Sequence, residues 1–224
     1  MALTDDEPRS AKVRVLIVED HPVVRQGLAI QLAEQPDLEI CGQAADVPTA
    51  LALVESTNPE LAIIDVGLHD GNGFDLIKRI RAHGGDVRIL VWSMHPENVY
   101  AERALRAGAQ GYLSKARAMN ELLDAIRAVV DGKVFVSGQT ASDLLQRMVG
   151  TRADDRSPVD RLSDRELEVF DYLGQGLTTD VIASKMHVTS KTVDSYRARI
   201  KEKLGLNNVN ELVQRATRWL LEKI

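Results

Sequence analysis

Five short apolar runs, each followed by a stretch with helical spacing, constrain this chain more than any other feature. The runs are "VRVLIV" (13–18), "LEICGQA" (38–44), "LAIID" (61–65), "RILVWS" (88–93) and "GYLS" (111–114). The stretches after them, at 22–35, 47–56, 74–83, 97–108 and 119–132, space their apolar residues three and four apart. Strands that read as continuous apolar runs are buried on both faces, and helical crossovers supply the cover. The fold class is therefore α/β, a doubly wound five-stranded parallel sheet. Gly108 and Gly132 mark the ends of two helices. Cys41 reads as a small buried strand residue, and a lone cysteine forms no intrachain disulfide.

The pattern changes further on. "KVFVSGQT" is irregular, "ASDLLQRMV" suits one more helix, and "GTRADDRSP" is a polar linker. From residue 160 the spacing is helical throughout, which predicts a second, all-α four-helix domain. Ser163 with Glu166, and Asn208 with Glu211, have capping-box spacing. Thr178 and Thr189 stand where helix caps belong, and Gly176 and Gly205 where helices stop. The expected organisation is a disordered tail at 1–11, an α/β domain at 12–131, a linker with a helix at 132–158 and a helical domain at 159–224.

No apolar run approaches the ~18 to 20 residues of a membrane span, and the acidic start "MALTDDEPRS" lacks a signal-peptide core. A cytoplasmic protein without a membrane partner is the expectation. The net charge is −5, yet residues 158–224 carry 11 basic and 10 acidic residues. A nucleic-acid partner must therefore be met by a local basic surface.

In an open parallel sheet, ligands bind beyond the carboxyl ends of the strands. Glu19 and Asp20 follow the first run, Asp65 ends the third, Ser93 ends the fourth and Lys115 follows the fifth. Three carboxylates on one rim repel, and a hard divalent cation such as Mg²⁺ relieves them. Gly67 offers a backbone carbonyl from a turn that a side chain would crowd. Lys115 is left to serve a second anion, such as a phosphoryl group. His21, His69 and His95 read as loop residues.

Residues 12 to about 131 resemble the receiver domain of two-component response regulators, a flavodoxin-like fold. The resemblance is carried by "IVEDHPVVRQGL", "IIDVGLHDGNG", "VWSMH" and "GAQGYLSK". It implies that Asp65 accepts a phosphoryl group from a sensor histidine kinase. It further implies that Asp20, Asp65 and the Gly67 carbonyl ligate Mg²⁺, with Glu19 acting through water. Ser93 and Lys115 would grip the phosphoryl oxygens, and Tyr112 would turn inward as Ser93 moves. His69 and Ala116 replace prolines common in the family. One rival is a phosphatase of the haloacid-dehalogenase type, but that chemistry needs an acid where this chain has Gly67. Another is a regulator controlled by a protein partner without phosphorylation.

In the helix from Thr189 to Leu204, Val193, Tyr196, Ile200 and Leu204 form one stripe. Residues 189–204 hold five basic and two acidic residues. "LSDRELEV", "GLTTDVIASKMHVTSKTVDSYRARIKEKLG" and "NELVQRA" resemble the LuxR-type helix-turn-helix domain. The whole chain thus resembles a NarL/FixJ-family transcriptional regulator. Lys191, Ser195 and Ala198 point away from the apolar stripe and, with Thr192, are expected at double-stranded DNA, while Arg197, Arg199 and Lys201 are expected to meet phosphates and Lys191 suits either role. Asp194 either accepts from a cytosine amino group or lies out of contact. Tyr196 and Val181 are expected to be structural. An active homodimer is expected through residues 208–221, where exposed Trp219 or Leu220 would make the contact. RNA polymerase is a further expected partner.

Overall fold

The computed structural model describes residues 11–68, 72–84, 86–149 and 158–222. All but Ala11 of the expected tail, His69 and most of the polar linker lie outside these residues. The chain forms two compact units, with the main division between Val136 and Ser137.

The first unit alternates strand and helix: β1 Val13–Val18, α1 Pro22–Ala33, β2 Leu38–Ala44, α2 Val47–Thr57, β3 Leu61–Ile64, α3 Gly73–Ala82, β4 Arg88–Ser93, α4 Glu97–Ala107, β5 Gly111–Ser114 and α5 Met119–Val130. All neighbouring strands are parallel, in the order β2-β1-β3-β4-β5. Alternation along each strand splits its apolar residues between two faces. On one face Val13, Val15, Ile17, Leu61, Ile63, Leu90 and Leu113 pack with Leu28 and Leu32 of α1 and Leu122, Ile126 and Val129 of α5. The alternate set, including Leu16, Val18, Ala62, Ile64, Ile89 and Val91, is equally buried. Burial of both faces explains the unbroken apolar runs.

Two local features depart from the sequence expectation. Val15 pairs with Ile40, but Leu16 pairs with Gly42, so Cys41 is the extra residue of a β-bulge. It is half-buried rather than buried, and the Thr57 hydroxyl lies 3.5 Å from its sulfur. Beyond α5, Phe135 forms a single parallel bridge with Gly111. Its N–H donates to the Gln110 carbonyl at 3.0 Å, and its carbonyl accepts from Tyr112 at 2.9 Å. A segment that reads as irregular thereby covers the outer edge of β5.

The second unit contains α6 Gly138–Val149, a 3₁₀ turn Pro158–Arg161, α7 Asp164–Gly174, α8 Thr179–Lys185, α9 Ser190–Leu204 and α10 Val209–Leu221. Ser163 and Glu166 close a reciprocal capping box. At α10 the box is shifted: Asn208 accepts from Glu211 N–H, while Glu211 reaches the Asn207 N–H. Thr178 holds the N-cap position of α8 but makes no side-chain cap bond. Gly174 permits a close helix crossing, since a Cβ there would lie 2.8 Å from the Ala216 carbonyl oxygen. Trp219, expected to be exposed, is only 6% exposed and tilts against Phe170 with ring centroids 5.5 Å apart. Leu220 is half-buried, and Leu221 is the exposed apolar residue at this end. Val181, expected to be structural, is 42% exposed.

Trp219→Ala should therefore destabilise the helical unit by about 3–5 kcal/mol, as for other buried aromatics. Hydrogen exchange of the α7 and α10 amides is the direct measurement. Exchange unchanged from the parent would contradict the packing described.

Candidate functional site

The strand order reverses between β1 and β3, so a crevice opens at their carboxyl ends. The chain places Glu19 and Asp20 just past β1 and Asp65 just past β3. Backbone bonds fix both exits: Glu19 N–H donates to the Ala44 carbonyl and Asp65 N–H to the Val18 carbonyl. The Arg25 guanidinium donates to the Glu19 carbonyl from α1. Gly73 matters on the far side. A Cβ there would lie 2.5 Å from the Asp65 carbonyl oxygen and from Val66 Cα, so α3 can begin against this loop only with glycine. Gly67 is different from the expectation. A Cβ built on it meets nothing closer than His95 Nε2 at 3.6 Å, so crowding does not require glycine there.

The three acids are buried, at 1%, 9% and 6% exposure for Glu19, Asp20 and Asp65. The Lys115 ammonium lies 2.5 Å from Glu19 Oε2 and 2.5 Å from Asp65 Oδ2. The other Asp65 oxygen accepts from the Ser93 hydroxyl at 2.7 Å and from Gly67 N–H at 3.1 Å. Burial pushes the Asp65 carboxyl up, but Lys115, Gly67 and Ser93 together outweigh it and hold it below its ordinary value. Asp65 is thus an ionised carboxylate in a desolvated site. Of the five residues expected at this rim, Glu19, Asp65, Ser93 and Lys115 are joined by direct contacts, while Asp20 lies beside Glu19 with His21 at its carboxylate. Lys115, however, already bridges two carboxylates here.

Tyr112 is fully buried, and its hydroxyl donates to the His95 carbonyl at 2.9 Å. Burial, reinforced by the Asp65 charge, raises its phenol well above the ordinary value. It already points inward in this structure. Two histidines belong to the site although they read as loop residues. His95 N–H approaches Ser93 Oγ at 3.4 Å, and burial holds its imidazole below the ordinary value, with Asp65 raising and Lys115 lowering it. His21 Nδ1 lies 2.6 Å from Asp20 Oδ1 and 3.2 Å from Glu19 Oε1. The only sequence signal was proximity, His21 being next to Asp20 and His95 two residues past Ser93.

In the second unit, α8 and α9 are joined by a turn whose His187 adopts a left-handed φ of 51°. Thr189 caps α9 by accepting from Thr192 N–H. Val193 and Ile200 are fully buried, whereas Tyr196 and Leu204 are half-buried. Lys191, Asp194, Ser195, Ala198 and Arg199 are exposed, and Thr192 and Lys201 are half-exposed. Thr189, Lys191, Thr192, Ser195, Tyr196 and Arg199 line a shallow depression of about 350 Å³. Arg197 is otherwise engaged. Its guanidinium donates to Thr179 Oγ1 at 2.6 Å and to Asp194 Oδ1 at 3.0 Å, with the side chain 18% exposed. It braces α8 against α9 and neutralises the acid on the exposed face. Lys203, on the opposite side, pairs with Glu166 at 2.6 Å.

These two sites correspond to two family matches. Residues 15–127 match the response regulator receiver domain, and residues 160–216 match the bacterial regulatory proteins of the luxR family. The chain is 34% identical over 205 residues to the DNA-binding transcriptional activator DevR/DosR of Mycobacterium tuberculosis, covering 92% of this chain and 94% of that one. It is 32% identical over 206 residues to the response regulator GacA of Pseudomonas protegens, covering 92% and 96%. Among solved structures it resembles RcsB from Salmonella enterica serovar Typhimurium bound to promoter rprA in the presence of phosphomimetic BeF3-. That likeness has a TM-score of 0.61 and 25% identity over 92% of this chain and 98% of that one. No helix among the described residues is long and apolar enough to cross a membrane. With both halves matched in one chain, the protein belongs to the NarL/FixJ-type two-component response regulators, transcription regulators that join a receiver domain to a LuxR-type DNA-binding domain.

Proposed function

We propose that Asp65 is the phosphoacceptor and that its modification controls DNA binding by the helical unit. The observation that carries this reading is the Asp65 carboxylate itself: buried, ionised, and held between the Lys115 ammonium and the Ser93 hydroxyl at the switch point of the sheet. An Asp65 oxygen attacks the phosphorus of a sensor kinase's phosphohistidine. The P–N bond breaks, and its electron pair leaves with the imidazole. Lys115 and Ser93 then have an anion of higher charge to hold, and both already reach the acceptor oxygens.

A divalent cation suits the oxygens on this rim. Glu19, Asp20, Asp65 and the Gly67 carbonyl form a hard donor set, and the side-chain ligand atoms of Glu19, Asp20 and His21 all lie within 4.8 Å of one another. Mg²⁺ bound there would screen the repulsion between acceptor and phosphoryl oxygens. The protein's own contribution is to keep the acceptor ionised and to fix it by Gly67 N–H and Ser93. Tyr112 and Ser93 would form the switch, linked through the His95 backbone.

For DNA, α9 supplies the reading face as the second helix of a helix-turn-helix. Lys191, Thr192, Ser195, Ala198 and Arg199 are positioned to meet it, with Lys201 at the flank. Arg197 is engaged by Thr179 of α8 as well as by Asp194, so we assign it to bracing the helix pair and Asp194 to holding it there. Two-fold operators call for a homodimer. We place its contact on the exposed side of α10, where Leu221 rather than Trp219 is available. RNA polymerase would be met by the DNA-bound dimer.

Three outcomes test this. Acetyl phosphate with Mg²⁺ should label the protein, while Asp65→Asn and chelation of Mg²⁺ should each abolish labelling. Label retained by the mutant would sink the assignment. Lys115→Ala should still label but lose phosphate-dependent dimerisation or DNA binding, and a normal response would contradict its role. Residues 158–224 alone should fold and bind DNA with a steep salt dependence. Arg199→Ala should lower the log–log salt slope by about 1, whereas Arg197→Ala should weaken binding through loss of helix stability and leave the slope unchanged. Binding indifferent to salt and to both substitutions would remove α9 as the reader.

A further inference from the structure

His21 holds the N-cap position of α1 but makes no side-chain cap bond. Its imidazole turns to the acidic rim instead. Nδ1 lies 2.6 Å from Asp20 Oδ1 and 3.2 Å from Glu19 Oε1. The backbone N–H of His21 also donates to Glu19 Oε1 at 3.2 Å, which holds the residue over the pair. Octahedral coordination with bonds of about 2.1 Å places adjacent ligand atoms about 3 Å apart. The two Nδ1 separations bracket that spacing. The carboxylates beneath are nearly closed to solvent, whereas the His21 side chain is 61% exposed. The imidazole therefore stands at the mouth of the rim, where an arriving cation would meet it. Lys115 holds the opposite Glu19 oxygen, Oε2, so that Oε1 is the oxygen turned toward His21, within reach of both its N–H and its Nδ1.

From this placement we infer that His21 is a cation ligand, and that the rim takes a first-row divalent transition ion more tightly than Mg²⁺. The inference rests on the reading of Glu19, Asp20 and Asp65 as a cation site. The chemistry behind it is donor preference. Mg²⁺ takes oxygen donors and keeps its waters. Iron, cobalt, nickel and zinc bind imidazole nitrogen well, with affinity rising from manganese through copper. One nitrogen among oxygens thus favours the transition ion without excluding Mg²⁺. The oxygens do the work of screening charge for either ion, so His21 sets which ion is held rather than whether phosphoryl transfer is screened.

Co²⁺ is the probe, because its visible absorption reports nitrogen ligation directly. The full chain, His21→Ala and Asp20→Asn are titrated with Co²⁺ and, by competition, with Mg²⁺. His21 is exposed, so its removal leaves the core intact. In His21→Ala, Co²⁺ affinity should fall by at least about tenfold, since a metal site loses that much when even a partner behind a ligand is removed. Its visible bands should shift, and Mg²⁺ affinity should hold within about twofold. Co²⁺ and Mg²⁺ affinities that both stay the same, or both rise, in His21→Ala overturn the proposal and leave the imidazole as a screen over the carboxylates. That result is separable from failure of the cation site itself, which is read from Asp20→Asn: if neither ion binds more weakly there, the rim is not a cation site and both readings fall.

Discussion

The ammonium of Lys115, lodged between Glu19 and Asp65, is the interaction on which the acidic rim depends. Two buried carboxylates this close repel, and neither has bulk water to screen it. One buried cation at 2.5 Å from each makes the arrangement tenable. It also has a geometric prerequisite. Lys115 leaves β5 just where its N–H bonds to the Ser93 carbonyl of β4, so sheet pairing aims the side chain across the crevice. Its ammonium stands over the Trp92 ring, 5.3 Å from the centroid. Strand order, loop exit and charge are therefore one problem, solved together.

The same logic explains what the residues disclose by themselves. Strands covered on two faces are apolar at nearly every position, so β3, Val15–Val18 of β1 and Ile89–Trp92 of β4 stand out as apolar runs. Ser163, Thr189 and Asn208 announce helix starts because their caps are local chemistry. Asp65, Ser93 and Lys115 are legible because each follows a strand whose end is itself legible. None of these inferences needs the partner strand.

What was not legible depends on pairing between distant segments. Cys41 is a bulge residue only because β1 and β2 slip by one, and register is a property of two strands. The close approach to the loop after β3 falls on Gly73 rather than Gly67, since it is α3 that docks there. Trp219 lies on the face of α10 that meets Phe170, and a helix with apolar residues on more than one side does not declare which side is covered. Arg197 reads as a phosphate contact on a basic helix until Thr179 of α8 is seen beside it.

The bridge at Phe135 bears on how this chain can be divided. A fragment ending at Gly132, where the last receiver helix stops, would keep every strand and every acidic-rim residue. It would also strip β5 of its outer neighbour, leaving the Tyr112 amide and the Gln110 carbonyl without their partners. A bare parallel edge invites association with other chains. Such a fragment would self-associate for reasons unrelated to its phosphorylation state, and oligomer measurements on it would report the cut. Ending the fragment beyond Val136 keeps the Phe135 bridge and both of its backbone bonds.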